Sequence, residues 1–353
     1  MSALLRALTR ALPRHPLRPV SAATTTSAAR TISGTSRAEG HVAGLGTTVE
    51  LNNGVAMPRM GLGTWQAEPG AVGAAVTAAL AAGYRHIDCA SVYGNEGEVG
   101  LALAAAIADG VVTRDDVFVT SKLWCTSHGT DNVAPALERS LERLGLDHLD
   151  LYLIHVPVAL RKRAPEDGGN EASVEIVHIP LAETWAGMES VLAAGLTRAI
   201  GVSNMPTLTL NDLLGSASVI PAVNQIERHP YLPQTEHASW AAEHGIQIIA
   251  YSPLGNASLD AHAAPGAPPP LLEHPVVADV AAAVGATRAQ VLLAWNLAQG
   301  SSVIPKSVSP ARIVENAASI DLQLPADALE ALNALDCGRR YLDFAWTGFS
   351  LFK

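Results

Sequence analysis

Short apolar runs separated by amphipathic stretches recur eight times between residues 60 and 306, and this alternation leaves few architectures open. The runs are MGLGTW (60–65), YRHIDC (84–89), VFVTSK (117–122), LDLYLIH (149–155), RAIGVS (198–203), IPAVNQ (220–225), IQIIAYS (246–252) and SSVIPK (301–306). Each is strand-length. The stretches between them, such as 70–82, 96–109, 131–144, 183–194 and 234–244, carry helical periodicity, and Gly83, Gly145, Gly195 and Gly245 stand where helices end. Eight βα units point to an α/β fold, a (β/α)8 TIM barrel closed on itself. The competing doubly wound sheet lacks its G-x-G-x-x-G turn, because Gly61 and Gly63 run on into Thr64-Trp65-Gln66. At 353 residues the chain accommodates one barrel of about 250 residues with insertions.

Two further features fill in the outline. TVELNNGVAMP, from residue 47, alternates about Asn53-Gly54 and predicts an N-terminal β-hairpin with a type I′ turn. Long βα loops are expected at 157–182 and 254–274, with a tail after Cys337, all on the face where barrels place active sites.

Charge is unevenly spread. Residues 1–38 hold Arg6, Arg10, Arg14, Arg18, Arg30 and Arg37 and no acidic residue, with arginines every fourth residue beside Leu4, Leu5, Leu8 and Leu12 and a Ser/Thr-rich stretch behind them. Residues 1–42 therefore read as a transit peptide for a mitochondrion or chloroplast, and 43–353 as the barrel domain. The alternative is an unprocessed, disordered tail on a cytoplasmic protein. The rest of the chain carries 17 basic against 33 acidic residues, so no nucleic-acid partner is expected. No run of about 18 uncharged apolar residues occurs, so no membrane span is expected. Cys89, Cys125 and Cys337 are too few and scattered for a disulfide framework, and the histidines lack metal-ligand spacing, so no metal is expected.

The strand ends carry the chemistry. In order they are Trp65, Asp88, Lys122, His155, Ser203-Asn204, Gln225, Tyr251-Ser252 and Lys306, every one polar or aromatic. Only four lysines occur against nineteen arginines, yet two of the four fall at strand ends, where a compact primary amine is wanted. Tyr93 follows Asp88 by five residues and can lean over the mouth near Lys122. An ammonium beside a phenol lowers its pKa, and a carboxylate holds that ammonium charged, so the trio reads as a proton donor. His155 adds a hydrogen bond to an oxygen gaining negative charge. Two other readings of these residues stay open: a structural ion pair beside a surface tyrosine, and a Schiff-base lyase with Lys122 as nucleophile.

With these residues in place, the chain resembles the aldo-keto reductase superfamily, in its aldose- and aldehyde-reductase-like members, over nearly all of residues 47–350. The matching segments are GYRHIDCASVYGNEGEVG, KLW, LYLIH, GVSN, NQIERHP, AYSPLG and IPKSVSPARIVEN. The resemblance implies an oxidoreductase that reduces aldehydes or ketones with NADPH and without metal, with Asp88, Tyr93, Lys122 and His155 catalytic. It places Ser203, Asn204 and Gln225 on the carboxamide, Tyr251 on the nicotinamide ring, and Ser252 and Leu254 along the pyrophosphate. Lys306, Ser307 and Arg312 converge on the 2′-phosphate beside the helix begun by Ser309-Pro310, which favours NADP+ over NAD+. Glu315 and Asn316 fall by the adenine. Trp65, Val92, Trp124 and Val156 would wall the substrate pocket, Val156 standing where many members have tryptophan. Tyr341, Phe344, Trp346 and Phe349 add aromatic surface from the tail, favouring a small hydrophobic or aromatic carbonyl substrate. An NADP-binding regulatory, redox-sensing barrel is the alternative within the family. A monomer is expected.

Overall fold

Period-two alternation decides which side chains enter the barrel. The computed structural model describes residues 43–65, 67, 70–162, 174–260, 266–347 and 349–352, so the transit reading of the first 42 residues lies outside the described residues. An N-terminal hairpin, β1 (Thr48–Glu50) and β2 (Ala56–Pro58), precedes the parallel strands β3 (Leu62–Gly63), β4 (His86–Asp88), β5 (Phe118–Leu123) and β6 (Leu151–Ile154). After a second hairpin, β7 (Leu160–Lys162) with β8 (Val174–Ile176), come β9 (Ile200–Ser203), β10 (Val223–Glu227), β11 (Gln247–Tyr251) and β12 (Ser302–Val303).

The eight parallel strands run β3-β4-β5-β6-β9-β10-β11-β12. Closure comes from the parallel bridges Met60 to Val303 and Gly63 to Lys306, with the Gly63 amide donating to Pro305 O at 3.1 Å. Gly63 is needed there, since a Cβ on it would meet Ile304 O at 2.7 Å. Helices Val72–Ala82, Glu96–Ala108, Thr130–Leu144, Leu181–Ala193 and Thr235–Glu243 follow strands as their periodicity foretold, and Gly83, Gly145, Gly195 and Gly245 all have positive φ. The (β/α)8 barrel expected from the sequence is therefore the observed fold.

In β5, Phe118 faces the lumen with Leu151, Leu153, Val223 and Ile249, while Val119 and Leu123 face the helices with Ile87, Ile154 and Ile226. Continuing that alternation turns Asp88, Lys122, His155, Ser203, Gln225 and Tyr251 inward at the C-terminal mouth. At the opposite end Leu51 and Met57 of the hairpin segment join the lumen cluster and plug it.

Two local expectations need correction. The hairpin turn is not type I′: Leu51 N donates to Val55 O (2.9 Å) and Gly54 N to Leu51 O (2.8 Å), and Gly54 has φ +81° while Asn53 does not reach positive φ. That is a three-residue loop with its left-handed position at Gly54. The sixth barrel strand begins at Val223 rather than residue 220, because Pro221 has no amide to give to the ladder, and it continues to Glu227. The long βα loop expected at 157–182 carries the β7–β8 hairpin.

Candidate active site

The loop after β4 is built to return a side chain over the mouth. Ala90 is extended, Ser91–Tyr93 make one 3-10 turn closed by Tyr93 N donating to Ala90 O (3.0 Å), and Gly94 at φ +69° launches the next helix. Ser91 Oγ donates to Lys122 O at 3.0 Å and ties the turn to β5. Asp88 and Lys122 are thereby brought together, with Lys122 Nζ 2.5 Å from Asp88 Oδ1 and 2.8 Å from Cys89 O. The other carboxylate oxygen of Asp88 accepts from Gln225 Nε2 at 2.8 Å. Lys122 Nζ also lies 5.3 Å from the centre of the Tyr93 ring, and His155 meets that ring edge-on at 5.8 Å.

The electrostatics correct one expectation. The Tyr93 phenol is pushed well above its ordinary value rather than lowered, first by burial and then by the charge of Asp88. Although the residue is half-buried at the rim, the ammonium of Lys122 is spent on Asp88 and a carbonyl and does not offset these causes. Tyr93 therefore keeps its proton at neutral pH, the state an acid needs. His155 is held well below the usual histidine range by burial and by the charge of Lys122, so its ring is neutral. Its Nδ1 is buried and has no hydrogen-bond partner among the described residues.

Next to this group lies a patch of amides and hydroxyls. Asn204, left-handed at φ +57°, donates through Nδ2 to His155 O (2.9 Å) and Ser203 Oγ (3.1 Å) and accepts the Tyr251 hydroxyl at 2.6 Å. Asparagine tolerates this backbone region better than most residues. Ser203 Oγ donates to Gln225 O at 2.8 Å, and all three polar side chains are buried. Burial and the charge of Glu227 push the Tyr251 phenol well up, so it too remains neutral. Ser252 (φ +47°) and the half-buried Leu254 follow at the start of the next loop.

At β12 the picture is looser. Lys306 and Arg312 are exposed, and neither side chain makes a hydrogen bond or ion pair among the described residues. Arg312 makes no hydrogen bond to Ser307 among the described residues, and Ser307 Oγ accepts from Ser309 N at 3.2 Å. Helix Pro310–Ala317 starts behind Ser309 with no side-chain cap, leaving its first amides open. Glu315, assigned beside Asn316 to the adenine, has its carboxylate engaged by Thr287 Oγ1 at 2.7 Å, while Asn316 is buried. The donor set still suits an NADP-type ligand: buried amide-binding groups at one end, two uncommitted cations and a helix N-terminus at the other.

The pocket walls are partly as expected. Trp124 meets His155 edge-on at 5.2 Å, Trp65 is half-buried, and Val92 stands exposed at the rim. Val156 is fully buried in a cluster with Cys125, Val158 and Leu160, onto which Trp124 and Phe344 pack, so its side chain presents no exposed surface. Tyr341 packs on His229 (5.2 Å) and Arg339 (4.9 Å), Phe349 is exposed, and the Trp346 side chain lies outside the described residues.

Two participants escaped the sequence. The Cys89 carbonyl, second acceptor for Lys122, is backbone and leaves no residue-type signal. Glu227 was missed because the strand was ended at Gln225; period-two counting two residues further would have placed it on the lumen face.

A model of the aldo/keto reductase family matches residues 59–337. An aldo/keto reductase of Synechocystis is 44% identical over 302 residues, covering 84% of this chain and 91% of that protein. The human aldo-keto reductase family 1 member A1 is 43% identical over 298 residues, covering 83% and 90%. Among solved structures, the Schistosoma japonicum aldose reductase superposes with a TM-score of 0.78 at 37% identity, covering 86% of this chain and 96% of that one. A Bombyx mori aldo-keto reductase in complex with NADP gives the same TM-score and identity, covering 87% and 98%. A closed parallel barrel, a buried Lys–Asp pair under a tyrosine and a histidine, and family likeness over most of the chain meet in one statement: this protein belongs to the aldo/keto reductase family.

Proposed function

We propose that the chain reduces aldehydes and ketones to alcohols with NADPH, Tyr93 giving the proton to the carbonyl oxygen. Aldo/keto reductases are oxidoreductases of carbonyl and alcohol groups that use NADP(H), and this chain is one of them. Bound NADPH supplies the hydride that the carbonyl carbon receives. The chain's own residues do the rest. Ser203, Asn204 and Gln225 would hold the carboxamide, Tyr251 would lie against the ring, and Lys306 with Arg312 would take the 2′-phosphate. Neutral His155 donates to the carbonyl oxygen, and as negative charge grows there Tyr93 gives up its proton, the phenolate it leaves facing the Lys122 ammonium that Asp88 holds in place. One observation carries this reading: Tyr93 and His155 meet at the mouth beside the buried Lys122–Asp88 pair, where burial raises the phenol and lowers the imidazole, the directions that the step needs.

A Schiff-base role for Lys122 is disfavoured, since its amine is fully buried and paired with a carboxylate. A purely regulatory barrel would not require all four residues. Trp65, Trp124 and Phe344 favour hydrophobic or aromatic substrates, and a relative at 42% identity is named a probable NAD(P)H-dependent D-xylose reductase, which extends the set to sugars. The test is a panel of aliphatic, aromatic and sugar carbonyls with NADPH or NADH oxidation followed by absorbance. Turnover with NADPH supports the proposal, while cofactor binding without turnover on any of them supports the regulatory reading.

A further inference from the structure

Two carboxylates hold the C-terminal tail at its approach to the pocket: Asp260 takes the Arg339 and Tyr341 side chains, and Glu227 takes the backbone. Glu227, two residues beyond Gln225 on the lumen face of β10, is fully buried and accepts from Tyr341 N at 2.7 Å, Leu342 N at 2.8 Å and His229 Nε2 at 2.8 Å. Two consecutive backbone amides on the two oxygens of one anion fix the path of the chain, because each bond to a charged acceptor is about twice as strong as a neutral one. Two residues later Phe344 stands at φ +56°, its carbonyl accepting from Thr347 N (2.9 Å) and Oγ1 (2.8 Å). An aromatic residue occupies the left-handed region only when the chain is held on both sides of it. Its ring packs on the cluster of Cys125, Val156, Val158 and Leu160 beside Trp124, which itself meets His155.

We infer that Glu227 is a positioning residue for carbonyl specificity: by clamping residues 341 and 342 it sets Phe344, seated on the cluster that holds Val156, as the far wall of the substrate pocket. The inference rests on the carbonyl-reductase reading given above. The Glu227 carboxylate is taken up by His229 and the two tail amides, so it acts through Phe344. Its effect falls on substrates large enough to reach Phe344 and spares those that reach only Tyr93 and His155.

The test compares Glu227→Gln with the wild type on propionaldehyde and on a naphthaldehyde, alongside NADPH titration. Glutamine keeps the volume but turns one acceptor into a donor facing an amide. KM for the naphthaldehyde should rise about tenfold or more, as the loss of a charge-assisted bond implies. The kcat on both substrates, KM for propionaldehyde and NADPH affinity should stay within roughly threefold, about 0.6 kcal/mol. Amide exchange at Tyr341 and Leu342, slow in the wild type, should accelerate in the variant, a readout that needs no turnover. Phe344→Ala, which leaves the clamp untouched, should show the same KM split, and it decides the matter if Glu227→Gln does not fold. Equal losses on both aldehydes, weakened NADPH binding, or unchanged kinetics would overturn the inference. Failure of the wild type on every carbonyl would instead count against the parent reading, with amide exchange still reporting on the clamp.

Discussion

Lys122 Nζ lies 2.5 Å from Asp88 Oδ1, and both side chains are shut off from solvent. A buried pair of this kind gains little over an apolar one, but removing one partner strands the other charge. Asp88→Asn should therefore cost about 3 kcal/mol, a fall of roughly 5 °C in Tm at about 2.1 cal/mol/K of unfolding entropy per residue over a barrel of about 310 residues. Turnover should fall as well, because the ammonium then lacks the anion that holds it under Tyr93. Calorimetry and steady-state rates on the same variant check this; an unchanged Tm would mean that the pair is not stranded by the substitution.

The directions of two pKa shifts set the pH profile. Tyr93 acts while protonated, and its phenol is raised above the usual value of about 10, so the rate of reduction should hold through neutral pH and decline only in the strongly alkaline range. His155 acts while neutral, and its imidazole is depressed below the usual 6.5, so no acid limb from it should appear near that value. A pH series of kcat/KM shows whether a limb falls close to pH 6.5, which would place a charged histidine in the site.

Arg312 and Lys306 are exposed cations beside an open helix start, and their expected partner is the 2′-phosphate. A hydrogen bond to a charged group contributes about 1.5 to 3 kcal/mol, so Arg312→Ala should weaken NADPH binding by roughly 10- to 150-fold. NADH binding should barely change. Fluorescence titration with both cofactors separates this from a structural role, in which both would weaken together.

How much the sequence disclosed varied with the physical origin of each feature. Strand ends such as Asp88, Lys122 and His155 were legible because period-two alternation and the strand order alone put them inward at one rim. The sign of the Tyr93 shift was not, since it depends on burial and on Lys122 being committed elsewhere, and neither is encoded in residue type. The turn at Gly54 was mistaken because Asn-Gly also suits a longer loop. The burial of Val156 was not legible either, since it comes from a cluster on which Trp124 and the distant Phe344 pack, and no local pattern reveals that. Glu227 was missed through a boundary placed two residues early.

We propose that the arginine-rich segment 1–42 directs the protein to a mitochondrion or chloroplast. A fluorescent reporter fused to it should enter an organelle, and enzyme lacking residues 1–40 should keep its activity, since every described strand and helix begins at or after residue 43. A reporter left in the cytosol would defeat the proposal.

The central claim is that Tyr93 supplies the proton. The most direct measurement is the single-turnover reduction rate of Tyr93→Phe with NADPH already bound, on a carbonyl that the wild type reduces. The loss should be about 10²-fold or more, as removal of a general acid costs, with NADPH affinity unchanged. A variant that keeps most of its rate would contradict the claim and move the proton donor to another group.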